Sequence, residues 1–471
     1  MRNFLASTAG IFSVCSSAYS LTLEQVLSSS ATHYPKILSS LQKIESGDAE
    51  KQIAQGAFDW EVQQKIMRRS HTYDGRYADT QVTRRFYDNN MRLYFGYRIS
   101  KDYLPSYEDA MNTYRGGEFN VGVMFSLLKD RTIDKDRYNV RQSELTAKKA
   151  QNEMRLTQLK TQYQAMNAYL EWIALGKSIQ SMRYLLELSE KRQVAFEKKN
   201  KHGDIAEIYL TENQQYILKR QIEINQMEQE WQNSAVYLSL FWRDEMGNSN
   251  VPTPLDMPHD FPDKPSIDKN KLIHDMAYLQ SQSPDIIAID MEQSKLDNTI
   301  ELGENSLLPK VDVVLEGTHN VGGQKSSPAG NDVKIGLSIT IPLERNIAEG
   351  KIRKAEAEKN RLEYEQKLVA EQIATQLKTI ASNYAMIEKY QNLISKEVAL
   401  AEVMQQAEYS KFKEGLSDLF VVNLREEKTI EAQLKLIKAQ LDFWKNISNY
   451  YFSTMNYSSL YIKQYSYSSN N

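Results

Sequence analysis

Residues able to do chemistry are spread along this chain without converging. The six histidines, His33, His71, His202, His259, His274 and His319, are scattered and lack the short spacing that brings two imidazoles to one metal. No glycine-rich loop stands where it would cradle a phosphate at the start of a helix. Adjacent acids such as Glu426 and Glu427 could do general acid–base work only inside a cleft. In a charged, helix-patterned run they read as a solvated face. The sequence therefore leads to no catalytic, cofactor or metal site, and the chain is expected not to be an enzyme.

The chain has 471 residues and a formal net charge of −3, which argues against a nucleic-acid footprint. It has no apolar run of about 18 residues, so no membrane-spanning helix is expected. A membrane β-barrel is compatible with that, because alternating strands give a weak hydropathy signal. The 28 tyrosines suit either ordinary strands or the aromatic girdles of such a barrel. Residues 1–20 read as a signal peptide, with Arg2, an apolar stretch from Phe4 to Val14 and a small-x-small site at Ala18-Tyr19-Ser20. Cleavage there removes Cys15, the only cysteine; a lipoprotein reading would instead keep it as the lipidated residue.

The chain repeats its plan. Asn120–Arg131 aligns without a gap on Lys334–Arg345, with Gly122 on Gly336 and Arg131 on Arg345. Five prolines between Pro252 and Pro265 divide the halves, in a segment unsuited to helix or central strand. The expected organisation is a first repeat over 21–248, a linker over 249–266, a second repeat over 267–465 and a polar tail over 466–471. Each half opens with a helix, restarted at Pro35 and Pro284 and running to about Ala57 and Asn305.

Period-two alternation follows. In the second half, Val311–Leu315 and Val333–Ile341 predict one hairpin over 309–342, with a glycine-rich loop between. In the first half, the extended region 60–128 is about twice as long. Phe119–Leu127 and Met91–Ile99 alternate clearly; Trp60–Tyr73 and Ala78–Phe86, joined near Asp74-Gly75, are weaker. Four strands are expected here against two in the second half. The remainder is long helix, over about 130–200, 204–244, 346–410 and 416–460, with apolar residues at coiled-coil spacing. Sixty helical residues would reach roughly 90 Å. Each long pair breaks once, at Lys201-His202-Gly203-Asp204 and at Lys413-Glu414-Gly415-Leu416, where glycine is the usual helix stop.

Taken together these features resemble the outer membrane efflux protein family, the TolC-like channels. The resemblance rests on Leu307-Leu308-Pro309-Lys310-Val311, Ile339-Thr340-Ile341-Pro342-Leu343, Gly350-Lys351-Ile352-Arg353-Lys354-Ala355 and Phe412-Lys413-Glu414-Gly415-Leu416-Ser417-Asp418-Leu419, in that order and with the duplication. It covers most of the mature chain. It implies an α+β fold: a homotrimer whose shared outer-membrane β-barrel continues as a periplasmic α-helical coiled-coil tunnel. Family members give two strands from each half; the longer first half here departs from that. They work with a periplasmic adaptor and an inner-membrane transporter of ABC or RND type, passing small molecules or polypeptides outward. Drug-type efflux and type I protein or peptide secretion both remain open, and a periplasmic coiled-coil scaffold is the reading outside this class.

The resemblance also places a constriction and adaptor dock near the two helical turns. The candidate residues are Gly203, Asp204, Glu207, Phe412, Gly415, Ser417, Asp418, Val421 and Leu424. Family members often carry acids further down the second helix, where Val421 and Leu424 stand here. The gate is then built from Asp204, Glu207 and Asp418, or it is partly apolar. The alternative for the acids is purely structural, since carboxylates favour helix N-termini. For Gly203 and Gly415 a capping role holds in either case, and Gly122 and Gly336 read as structural.

Overall fold

A computed structural model of the chain describes residues 20–71, 74–102, 113–265, 276–322 and 330–462. The leader with Cys15, the loop tip at 323–329 and the polar tail at 466–471 lie outside the described residues. The helices are α1 (Leu23–His33), α2 (Pro35–Gln55), α3 (Lys135–Lys201), α4 (Glu207–Leu238), α5 (Met276–Ser281), α6 (Pro284–Leu307), α7 (Asn346–Lys413) and α8 (Leu419–Ser453). Their starts follow local chemistry. Thr22 and Gln25 form a reciprocal capping box on α1, and Pro35 and Pro284 occupy first-turn positions where no amide is needed.

The strands are β1 (Glu61–Arg69), β2 (Gly75–Arg85), β3 (Arg92–Asp102), β4 (Glu118–Ser126), β5 (Lys310–Asn320) and β6 (Asn331–Thr340). They form one antiparallel sheet in the order β1-β2-β3-β4-β5-β6, four strands from the first half and two from the second. The segments that align in sequence are β4 and β6. Within one chain β1 and β6 are the two edges.

Three boundaries differ from expectation. The second and fourth long helices end at Leu238 and Ser453, short of residues 244 and 460, and the first begins at Lys135. After α4 the amides of Leu240 and Phe241 bond three residues back, and Arg243 pairs with Ser249 around a turn at Gly247. After α8 Met455 takes φ 52°; its amide bonds to Phe452 and the next, Asn456, to Tyr451, a Schellman stop made without glycine. The proline-rich segment does hold one helical turn, at Pro254–Asp256, closed by Thr253 and Asp256.

By contacts the chain divides into two compact units, each drawing on both halves. The first comprises the segment up to Ser39, Arg155–Ser283 and the segment from Glu371 onward. Its core gathers Leu27, Trp172, Leu238, Phe241, Trp444 and Ile447, and Trp172 stacks on Trp231 at 6.1 Å. The proline-rich segment lies against this core: Met257 sits where a Cβ on Gly176 would come within 2.4 Å, and Asp256 accepts the Leu21 amide at 2.7 Å.

The second unit, Ser40–Met154 with Pro284–Ala370, holds the sheet. Its two faces are reversed relative to a water-soluble sheet. Phe95, Val121, Leu315, Val333, Ile335 and Leu337 fall on one face by register, and all are exposed, Val333 by 78 %. On the opposite face Tyr94, Asp312 and Thr318 are buried. That polar face is cross-linked: Tyr94 donates to Glu316 at 2.7 Å, Lys334 to Glu316 at 3.0 Å and Arg98 to Asp79 at 3.1 Å. Lys65, Asp79, Arg98 and Glu118 stand directly opposite one another across β1 to β4, so charges alternate along that row. Opposite charges in register stabilise a sheet.

Where β4 gives way to α3, a polar knot fixes the exit. Asp134 accepts the Asp136 and Arg137 amides and the Arg137 guanidinium, which also donates to the carbonyls of Arg131 and Asp130. Arg85, at the end of β2, pairs with Asp136, and Asn90 in the β2–β3 turn donates to the Asp130 carbonyl at 2.6 Å.

Candidate gate at the helical turns

Both turns in the first unit are built alike. Gly203 (φ 81°) and Gly415 (φ 77°) take the left-handed conformation. The Gly203 and Asp204 amides bond to the carbonyls of Asn200 and Lys199; those of Gly415 and Leu416 bond to Phe412 and Lys411. Each is a Schellman motif, and a side chain at the glycine position would be strained there.

The next helices start differently. Asp418 caps α8, its carboxylate accepting the Val421 amide at 2.9 Å, whereas Ala206 before α4 has no side chain to cap with. Glu207 opens α4 and Asp204 sits in the turn, both exposed. Ser417 donates to Glu408 at 2.6 Å, and Phe412 packs on Phe196 with centroids 6.0 Å apart.

A cleft of about 780 Å³ opens between these turns. Asp204, Phe412, Gly415, Ser417 and Asp418 line it, together with Tyr184, Lys191, Lys199, Tyr209 and Tyr409. Gly203, Glu207, Val421 and Leu424 are not among its walls. Val421 is half-buried and Leu424 exposed on α8. The structure thus joins five of the sequence candidates in one amphipathic hollow and leaves four outside it.

The wall of the cleft includes, at Arg192 and Glu426, part of a group that sequence reasoning missed. Glu426, expected to be solvated, is 3 % exposed. It accepts from two buried guanidiniums: Arg192 of α3, and Arg220 of α4 at 3.1 Å. Arg192 also donates to Asn423 at 2.8 Å, and Asn213 donates to the Ser189 carbonyl at 3.0 Å. Burial pushes the Arg220 guanidinium below its ordinary value, and the Glu426 charge works against that shift. Glu427, one residue on, turns outward to Lys219 at 3.0 Å. Successive helix positions are about 100° apart, so one member of an adjacent acid pair can enter the core while the other stays at the surface.

Among the described residues no group of histidines, cysteines or acids could hold a metal ion, and no helix is long and apolar enough to cross a membrane. The described residues thus form a paired turn, a cleft and a buried ionic cluster in one unit, and an inside-out sheet in the other.

Neither family models nor curated proteins match this sequence. Solved structures do. The outer-membrane channel OprN superposes with a TM-score of 0.66 at 14 % identity, over 92 % of this chain and 89 % of that one. VceC from Vibrio cholerae gives 0.66 at 14 %, over 92 % and 95 %. The open-state MtrE channel of Neisseria gonorrhoeae gives 0.63 at 12 %, over 92 % and 88 %. The fold is therefore that of the outer-membrane channels.

Proposed function

We propose that this chain is the outer-membrane exit duct of a tripartite export system. It would assemble as a homotrimer and pass small molecules or polypeptides handed over by a periplasmic adaptor and an inner-membrane transporter. The observation that carries this reading is the reversed sheet. An apolar face left exposed and a polar face turned inward suit lipid outside and water inside. Two unpaired edges cannot remain in lipid, so a sheet of six strands requires further copies to close. Three copies give eighteen strands, and barrels of about that size leave an aqueous channel. The cleft and its flanking turns would form the periplasmic gate and the adaptor's dock.

The test is fractionation of the native host followed by the mass of the solubilised assembly. A detergent-dependent trimer from the outer membrane supports the duct. A species soluble without detergent overturns it in favour of a periplasmic scaffold. Co-purification of the transporter separates drug-type efflux from type I secretion.

A further inference from the structure

Both edges of the sheet are bare. Every residue of β6 is exposed, and so is every residue of β1 except Arg69. Both edges carry the two faces of the strands between them. Val62 and Ile66 on β1, and Val333, Ile335, Leu337 and Ile339 on β6, belong to the apolar face by register. Consecutive strands alternate in direction, so β1 and β6 run opposite ways. Copies related by rotation about a barrel axis present these two edges to each other as an antiparallel pair.

The register of that pair is constrained by the side chains. A slip of one residue would turn an apolar face to the lumen, so only alternate registers are allowed. Like charges directly opposed destabilise a pair. Lys334 is the one cation of β6 and lies on its polar face. Opposite Lys65 or Arg69 it would meet another cation. Met67 lies between those two on the same face. With Lys334 opposite Met67, Gly336 faces Lys65 and Asp332, of opposite charge, faces Arg69. The same register sets Glu61, the first residue of β1, against Thr340, the last of β6. Moving Lys334 on to Arg69 would push Glu61 past the end of β6 to Pro342, which has no amide to donate.

Barrel geometry selects the same register. Directly opposed residues Glu61, Thr83, Tyr94, Gly122, Glu316 and Lys334 cross the whole sheet in one row. Continued into Met67 of the next copy, that row has climbed six residues along β1. Three copies then give a stagger of eighteen residues for eighteen strands. With a rise of about 3.3 Å per residue and about 4.8 Å between strands, the strands tilt by about 35°, within the range of roughly 35–45° that closed barrels adopt. Pairing Lys334 with Lys65 instead would flatten the tilt to about 25°.

We infer that each sheet edge takes a second copy of this chain as its partner, through antiparallel pairing of β1 with β6 in one register. That register sets Glu61 against Thr340, Gln63 against Ser338 and Met67 against Lys334 on the lumen side, and Val62 against Ile339 on the lipid side. The inference deepens the exit-duct reading and rests on it. It gives the wall eighteen strands and names the residues that touch across each of its three junctions.

The experiment is disulfide trapping in the full-length protein, in outer-membrane fragments and after solubilisation in detergent. Directly opposed strand residues have Cα atoms about 4.5–5.5 Å apart, within disulfide reach, whereas partners shifted by two residues are roughly 8 Å apart and beyond it. Gln63→Cys with Ser338→Cys is expected to give covalent dimers and trimers on a non-reducing denaturing gel after a mild oxidant is added. Gln63→Cys with Gly336→Cys, and Gln63→Cys with Thr340→Cys, should give at least about tenfold less. The single variants control for Cys15, the only native cysteine. Val62→Cys with Ile339→Cys tests the same register from the lipid face and serves if the lumen pair fails to assemble. A shifted pair that links better than the opposed ones overturns the register. A detergent-dependent trimer in which none of these pairs links its subunits overturns the β1–β6 junction and leaves the outer-membrane reading standing. A species soluble without detergent overturns both.

Discussion

Arg220 of α4 reaches Glu426 of α8 at 3.1 Å in a place where both side chains are almost wholly buried. Arg192 of α3 holds the other carboxylate oxygen. One acid thus ties three helices together in the wall of the cleft at the turns. Removing one partner of a buried pair leaves uncompensated charge, typically costing about 3–5 kcal/mol. Glu426→Ala, which strands two guanidiniums, should lower the thermal midpoint of the solubilised protein clearly. Glu427→Ala, at the surface pair with Lys219, should change stability by less than about 1 kcal/mol. Equal effects would mean the buried cluster is not a fastener.

The two aligned glycines should respond differently. A Cβ on Gly122 would lie 2.4 Å from the Tyr94 ring, whereas one on Gly336 would meet only Val314 Cβ, at 3.7 Å. Gly122→Ala is expected to destabilise by about 1–3 kcal/mol through overpacking. Gly336→Ala should stay within about 0.5 kcal/mol of the parent. Denaturant titration of the detergent-solubilised protein distinguishes them, and matching midpoints would refute the close approach.

At the turns, Asp418→Ala removes the α8 cap and should cost about 1 kcal/mol. Asp204→Ala removes no cap and should leave stability nearly unchanged. If these acids also gate the duct, the double variant alters single-channel conductance and its salt dependence. Unchanged conductance with reduced stability would leave Asp418 a cap and nothing more.

Acid should loosen the β4–α3 exit. Burial pushes the Asp134 carboxyl up, but hydrogen bonds from Arg137 and the Asp136 amide, with the Arg137 charge, outweigh it and hold its pKa below the ordinary 3.8. A depressed folded value means that this stabilisation is fully present above the unfolded pKa and fades as pH falls through the folded one. Melting temperature should therefore drop below about pH 3.8 more steeply in the parent than in Asp134→Asn, which is weaker at neutral pH. Parallel acid profiles would exclude Asp134 as the group responsible.

Much of the fold could be read from the chain because a period of two leaves little ambiguity. Phe119 to Leu127 and Val333 to Ile341 each place every second side chain on one face, and β4 and β6 occupy those segments. The glycine stops at Gly203 and Gly415 were legible for a similar local reason. Glu426 was not, because charge in a helical run ordinarily marks the solvent side. A usable signal did exist: Ile217, Arg220 and Ile224 step by three and four, so Arg220 occupies a position of the buried stripe, and a buried guanidinium requires an acid opposite. The ends of α4 and α8 were overrun because aromatic and apolar residues keep a helix-like pattern beyond the last turn, while the Schellman stop at Met455 carries no glycine to announce it.

Strands β2 and β3 run in opposite directions between β1 and β4, and the turn joining them is moored by Asn90 to Asp130 in the connection from β4 to α3. A hairpin placed there leaves β1 and β6 as the two margins of the sheet. The surfaces through which copies would join are therefore independent of how many strands lie between them. The calibre of such a duct could be widened or narrowed by gaining or losing hairpins at this position, with no accompanying change at the seams between subunits.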